Sequence, residues 1–319
     1  MHKLYPYDII EKYNKMDLFS PKDIQDLISQ YGAKPRKGLG QNFLIDKNIL
    51  SKIIDCADLK SDDFVLEVGP GLGTLTQELA KKAGQVVAVE KDKTMIEILK
   101  ETLKNSNNVK IIQGDILQVI LGFLPAGQAG TRNPDLINLD SRLRGNDKFK
   151  VVANIPYYLT SPLIRLLLEN ENPPEAIVLL LQKEVAERIC SKPGDMSLLA
   201  VSVQFYADAK IISLVPKNYF WPAPKVDSAI IKIIPRSRTS RPAGSPTSPD
   251  FSPPDLFFKI VKAGFSHPRK QLLGNLSGEL NLSKEQTVNW LSKNNLNPKQ
   301  RAETLSVQDW KNLANTFEC

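Results

Sequence analysis

The stretch FVLEVGPGLGT (Phe64–Thr74) decides the fold. An apolar strand runs into three closely spaced glycines, and an amphipathic helix follows with Leu72, Leu75, Leu79 and Ala80 on one face. Outward from it the pattern repeats. QVVAVE (Gln85–Glu90) reads as a second strand, Met95, Ile96, Leu99 and Leu103 fall at helical spacing, and VKIIQGD (Val109–Asp115) closes the unit. Strands alternating with helices imply a parallel sheet covered on its faces, an α/β fold of the Rossmann-like kind. Further strands are expected at KVVAN (Lys150–Asn154), AIVLLLQ (Ala176–Gln182), VSVQFYA (Val201–Ala207) and AIIKII (Ala229–Ile234).

The chain has 319 residues and a formal net charge of +7. That length corresponds to one large domain or two unequal ones, with a core large enough to need no disulfide or structural metal. Cys56, Cys190 and Cys319 form no CxxC pair, so the reducing cytoplasm is the expected compartment. His2 and His267 are too few and too distant for a histidine metal site or a histidine-centred acid–base network, and no metal is expected. The longest apolar run, Ala176–Leu181, has the length of a buried strand and not of a membrane span. MHKLYPYDIIEKYNK at the start carries charges inside its apolar stretch and no small-residue cleavage site, so no signal peptide is expected. The basic balance favours a polyanionic partner.

Two segments interrupt the rhythm. Residues 122–148 are polar and turn-rich, as a surface insertion between two strands would be. Residues 236–254 hold five prolines, five serines and three arginines, the composition of a linker. The expected organisation is a helical extension over 1–31, a cofactor-binding catalytic domain over 32–235, the linker, and a small C-terminal helical domain over 255–319. In the last of these Leu256, Phe257, Ile260, Val261 and Phe265 share a helical face.

The glycine turn reads GxGxG, with Thr74 where a dinucleotide fingerprint wants its third glycine, so pyrophosphate binding loses ground. Glu90 ends the second strand, where a carboxylate can accept from both ribose hydroxyls, and Asp115 ends the third, where it can accept from an adenine amino group. Gly69, Gly71, Glu90 and Asp115 therefore fit a nucleoside with a cationic, non-phosphate tail, namely S-adenosylmethionine. Taken singly, each of these residues also fits an ordinary turn or a solvated strand end.

The fourth strand ends Asn154-Ile155-Pro156-Tyr157-Tyr158. An exocyclic base amine is a poor nucleophile because its lone pair is delocalised into the ring. An asparagine oxygen and the backbone carbonyl after it could accept both N–H hydrogens and turn the lone pair toward a methyl donor, while Tyr157 stacks on the base. A proline-terminated strand leading into a helix at Thr160-Ser161-Pro162 accounts for the same residues without chemistry. The loop FWPAPKV (Phe220–Val226) either forms a second wall of a base pocket or plugs the core.

Taken together in order, KGLGQNFLID (Lys37–Asp46), LEVGPGLGTLT (Leu66–Thr76), VEKD (Val89–Asp92), GDIL (Gly114–Leu117), NIPYY (Asn154–Tyr158), FWPAPKVDSA (Phe220–Ala229) and FSHPRKQL (Phe265–Leu272) make the chain resemble the ribosomal RNA adenine N6,N6-dimethyltransferases. The resemblance implies that Asn42 and Leu44 close over S-adenosylmethionine, with Gly69, Glu90, Asp115 and Asn154 lining it. It also implies that Asn154, Ile155, Pro156 and Tyr157 hold the target adenine, with Phe220 packing behind. The implied substrate is a pair of adjacent adenines in the 3′-terminal hairpin loop of small-subunit rRNA, met in the immature 30S particle by a monomeric, membrane-free enzyme. Related enzymes dimethylate large-subunit rRNA, and some relatives serve mainly as assembly factors. The insertion and the linker both look longer than the family pattern. Lys34, Arg36, Lys37, Arg269 and Lys270 are the candidate phosphate contacts.

Overall fold

The computed structural model describes residues 17–121, 148–170, 172–236 and 254–317. The expected insertion (122–148) and linker (236–254) fall almost wholly outside them, as do residues 1–16 of the expected N-terminal extension. The described residues form two compact units, one from Met1–Lys183 with Ile211–Ile233, the other from Glu184–Lys210 with Ile234–Cys319.

In chain order the first unit contains α1 (Pro21–Gln30), β1 (Phe43–Leu44), α2 (Lys47–Ala57), β2 (Phe64–Val68), α3 (Thr74–Lys82), β3 (Gln85–Glu90), α4 (Lys93–Thr102), β4 (Val109–Gln113), α5 (Ile116–Leu121), β5 (Lys150–Asn154), α6 (Thr160–Glu169) and β6 (Ala176–Gln182). Then come α7 (Lys183–Ile189), α8 (Leu198–Tyr206), β7 (Ala207–Val215), β8 (Phe220–Trp221) and β9 (Ser228–Pro235). The seven-stranded sheet has the order β4-β3-β2-β5-β6-β9-β7. Its first five strands pair in parallel, and β9 runs antiparallel to β6.

β2 is buried along its whole length, as a strand covered on both faces must be, which is why its sequence is a nearly continuous apolar run. Beneath one face, Leu50 and Ile53 of α2 and Leu75 and Leu79 of α3 pack on Val65, Val86, Val152 and Val178. In a second cluster, Ile24, Leu27 and Ile28 of α1 meet Leu72, Met95 and Ile98. Each such fully buried side chain contributes roughly 1.5–3 kcal/mol. Helix starts follow the expected chemistry: Ser20 caps α1 with Pro21 in its first turn, Asp46 caps α2 through the Ile49 N–H at 2.8 Å, and Asp92 caps α4 through the Thr94 N–H at 2.9 Å.

One expected strand is a helix. All of VSVQFYA but its last residue, Ala207, lies in α8, capped by Ser197, whose hydroxyl accepts from the Ala200 N–H at 3.2 Å. Its run is apolar on nearly every side because Ala200, Val201, Val203, Phe205 and Tyr206 are all buried, and such a run has no period to separate strand from helix. The strand begins where the helix ends: between buried Ala207 and Val215, β7 alternates exposed and half-buried residues.

In the second unit α8 packs with α9 (Pro254–Gly264) and α12 (Val307–Asn315), α9 with α10 (Leu272–Glu279), and α10 with α11 (Lys284–Lys293). Packing therefore divides the chain differently from its order, since Glu184–Lys210 joins the C-terminal helices. Phe257, Ile260 and Val261 are fully buried, with Phe257 against Phe205 at 4.3 Å between ring centroids. Serine-led capping boxes open α11 (Ser283, Gln286) and α12 (Ser306, Asp309).

Candidate active site

The turn after β2 requires its glycines. Gly69, Gly71 and Gly73 have φ of +65°, +60° and +86°, and a Cβ on Gly71 would sit 3.2 Å from the Phe43 ring. The turn carries the chain under the carboxyl edge of the sheet, where a cleft is lined by Gly69, Gly71, Glu90, Asp115 and Asn154 together with Asn42 and Leu44. All seven residues expected to hold the cofactor thus meet in one place.

Glu90 is held by the backbone. Its Oε1 accepts the Lys91 and Asp92 N–H groups at 2.8 Å each, and its Oε2 accepts the Gly71 N–H at 3.2 Å. Burial raises its carboxyl above the ordinary value, and these three bonds oppose the rise. Asp115 accepts the Leu117 N–H at 3.0 Å on Oδ1 and pairs with Lys91 Nζ at 2.9 Å on Oδ2. An incoming amino group therefore meets an acid already oriented by α5 and shared with a lysine.

The segment before β1 arrives by long-range pairing. β1 and β8 form a two-stranded antiparallel sheet with Phe43 opposite Trp221 and Leu44 opposite Phe220. Asn154 Nδ2 donates to the Asn42 carbonyl at 3.2 Å, which leaves Oδ1 as the group able to accept from a substrate. Gln41 Nε2 donates to Asp92 Oδ2 at 3.0 Å, and Arg36 approaches the same oxygen at 3.6 Å, so this segment is pinned to the end of β3.

The adenine-side residues divide. Pro156 lines the cleft, and Ile155 is buried beneath it. Tyr157 is half-buried outside the cleft, its hydroxyl 3.1 Å from Ser228 Oγ, whereas its neighbour Tyr158 lines the cleft and is 52 % exposed. Phe220 is 4 % exposed and packs in the core with Val65, Val152 and Leu180, so of the two open readings of its loop the core plug describes this residue. Among the basic candidates Lys34, Arg269 and Lys270 are exposed, Arg36 is exposed but paired with Asp92, and the Lys37 side chain lies outside the described set.

Sequence reasoning gave no role to Lys91, Tyr158 or Glu67, all of which line the cleft. Glu67 is 1 % exposed, and its Oε2 has no hydrogen-bond partner among the described residues. The signal was an acid inside an otherwise apolar buried strand. Burial, with a smaller contribution from Glu90 and opposed by Thr76, pushes its carboxyl up to about 8. Without cofactor the folded chain keeps this proton to about pH 8, while the unfolded chain releases it near the ordinary 4.5. Between those values the unfolded state binds fewer protons, so stability falls as pH rises across the window. Glu67→Gln flattens that slope in urea-unfolding midpoints collected across the same range. Equal slopes in the two proteins would remove the assignment.

The cleft fits a cationic nucleoside. Its charged groups are the carboxylates of Glu90 and Asp115 and one lysine already committed to Asp115, with Glu67 a third, protonated acid, a set hostile to pyrophosphate and suited to a sulfonium and an ammonium. A parallel-rich sheet bearing a glycine turn and strand-end acids on its carboxyl edge is the arrangement of the S-adenosylmethionine-dependent methyltransferases. The family model described as ribosomal RNA adenine dimethylase matches residues 32–318. The chain belongs to that family.

Similar proteins include ribosomal RNA small subunit methyltransferase A of Dehalococcoides mccartyi, 43 % identical over 289 residues that cover 91 % of this chain and 90 % of the relative. The protein of the same name from Pelotomaculum thermopropionicum is 40 % identical over 302 residues, covering 93 % and 96 %. A crystal structure of a dimethyladenosine transferase from Plasmodium falciparum is similar at a TM-score of 0.63 and 28 % identity, over 85 % of this chain and 95 % of that one. The 23S rRNA methyltransferase ErmE shares the fold at a TM-score of 0.62 and 24 % identity, over 86 % and 99 %. No helix among the described residues is long and apolar enough to cross a membrane.

Proposed function

We propose that this enzyme dimethylates N6 of two adjacent adenines in the 3′-terminal hairpin loop of small-subunit rRNA, acting as a cytoplasmic monomer on the immature 30S particle. The observation that carries the reading is the placement of Asn154. It stands at the tip of β5 in the same cleft as Glu90 and Asp115, with its amide turned by the Asn42 carbonyl. The names of the relatives at 40–43 % identity point to the small subunit.

Bound S-adenosylmethionine supplies an electrophilic methyl group on a sulfonium. Glu90 takes the ribose hydroxyls with the acceptor capacity its three backbone bonds leave, and Asp115 takes the adenine amino group of the donor. Asn154 Oδ1 and the Ile155 carbonyl accept the two hydrogens of the target amine, so that its lone pair faces the donor. Tyr157, half-buried outside the cofactor cleft with its ring steadied by the hydroxyl contact to Ser228, stacks on the unstacked base beside that cleft, a contribution of roughly 1–3 kcal/mol. Phe220 is a positioning residue that seats β8 on β1. No strong base is needed, because the methylated ammonium gives up its proton readily, and catalysis rests on alignment and electrostatics. Lys34 in the first unit and Arg269 and Lys270 in the second contact RNA phosphates, while Arg36 positions the Gln41 segment.

The test is incubation with labelled S-adenosylmethionine and under-methylated small and large ribosomal subunits, followed by mass mapping of the modified nucleotides. Two adjacent dimethylated adenines in the small subunit are expected. Label confined to the large subunit, or transferred to neither, would overturn the reading.

A further inference from the structure

The second unit contains a cleft of about 640 Å³, lined by three cations, Lys192, Arg236 and Lys311, and by Asp208 as its one carboxylate among the described residues. Asp208 is already taken: Arg236 donates to it at 2.6 Å and to the Gln204 carbonyl at 2.6 Å. Lys311 is left over. It is only 7 % exposed, its ammonium lies 5.3 Å from the centroid of the Phe205 ring, and it has no hydrogen bond or ion pair among the described residues. Burial and the charge of Arg236 push its ammonium down to about 8, so it remains charged at neutral pH with no ion-pair partner among the described residues. A half-buried ammonium of that kind gains from an anion that arrives to pair with it.

The first turn of α12, the helix that also carries Lys311, borders the same cleft. Val307 and Gln308 line the cleft there, and N–H groups in a first helical turn have no partner within the helix. An ammonium with no partner among the described residues and the N-terminus of its own helix, beside an Arg236 charge that is paired with Asp208 but still bears on the ammonium, suit a multivalent oxyanion with several acceptor oxygens. We infer that this cleft is a phosphate-binding site, with Lys311 as its anchor and Lys192 at its rim. The site stands on the geometry of the second unit. That the phosphate belongs to an RNA backbone rests on the function proposed above.

The experiment uses the full chain with Lys311→Gln and, because a buried substitution can perturb folding, also Lys192→Gln at an exposed position. In the first arm, inorganic phosphate is titrated against chloride at constant ionic strength, with calorimetry and thermal unfolding as readouts. Phosphate should bind wild type and raise its unfolding temperature, weakly in Lys192→Gln and not in Lys311→Gln. In the second arm, affinity for transcribed small-subunit rRNA is measured against salt. A phosphodiester in the cleft predicts about tenfold weaker binding for Lys311→Gln and a log–log salt slope smaller by about 0.9 for either variant. Phosphate binding with unchanged RNA affinity and slope would assign the site to a free phosphate-bearing ligand. No phosphate binding by wild type, together with unchanged RNA affinity and slope in both variants, would overturn the site. Transfer of methyl groups to small subunits is scored separately, so loss of the cleft and loss of the proposed function are told apart.

Discussion

In the Asn154→Ala variant, methyl transfer at saturating S-adenosylmethionine falls by about 10²–10³-fold, the effect of removing one preorganised polar group from a reacting centre, roughly 3–4 kcal/mol. The reason is geometric. Asn154 Nδ2 is spent on the Asn42 carbonyl at 3.2 Å, so its Oδ1 has one orientation available for the target amine. The same bond ties the segment before β1 to the sheet, and its loss weakens cofactor binding by only about 3–10-fold, the worth of a single neutral hydrogen bond. Single-turnover rates on small subunits together with calorimetric binding of S-adenosylmethionine separate the two effects. A rate within about threefold of wild type would exclude Asn154 from any transition-state role.

Glu90→Ala has the reverse profile. Its carboxylate orders the Gly71, Lys91 and Asp92 N–H groups as well as facing the cleft, so the variant loses the ribose contacts and loosens the glycine turn. Charged hydrogen bonds are worth about 1.5–3 kcal/mol each, and the affinity for S-adenosylmethionine is expected to drop about 100-fold. The rate at saturating donor changes much less, because Glu90 touches no reacting atom. Calorimetry gives the affinity and single-turnover kinetics gives the rate. An unchanged dissociation constant would place the ribose elsewhere.

Much of this site is legible in local sequence. A strand ending in glycine has to turn, an acid at a strand end has to face the carboxyl edge, and these constraints located Gly69, Glu90 and Asp115 in the cleft. Other parts were illegible for stated reasons. Tyr157 and Tyr158 are adjacent and chemically alike, and the turn after Pro156 alone decides that Tyr158 lines the cleft while Tyr157 reaches Ser228. Lys91 looks like a solvated residue after a strand until β3 and β4 are placed side by side and its ammonium meets Asp115. The run Val201–Tyr206 could not announce itself as a helix because burial on all sides erases the periodicity that helix recognition depends on.

The amino-acid order by itself determined the alternation of strands and helices, the glycine turn, the strand-end acids and the asparagine–proline step, because each depends on residues within one or two turns of chain. Only the tertiary structure decided that Phe43–Leu44 pairs with Phe220–Trp221, that the Asn42 carbonyl orients Asn154, and that Lys311 is enclosed in the second unit with no ion pair among the described residues. Those facts depend on partners far apart in the chain, and a side chain's local pattern carries no record of what the fold will bring against it.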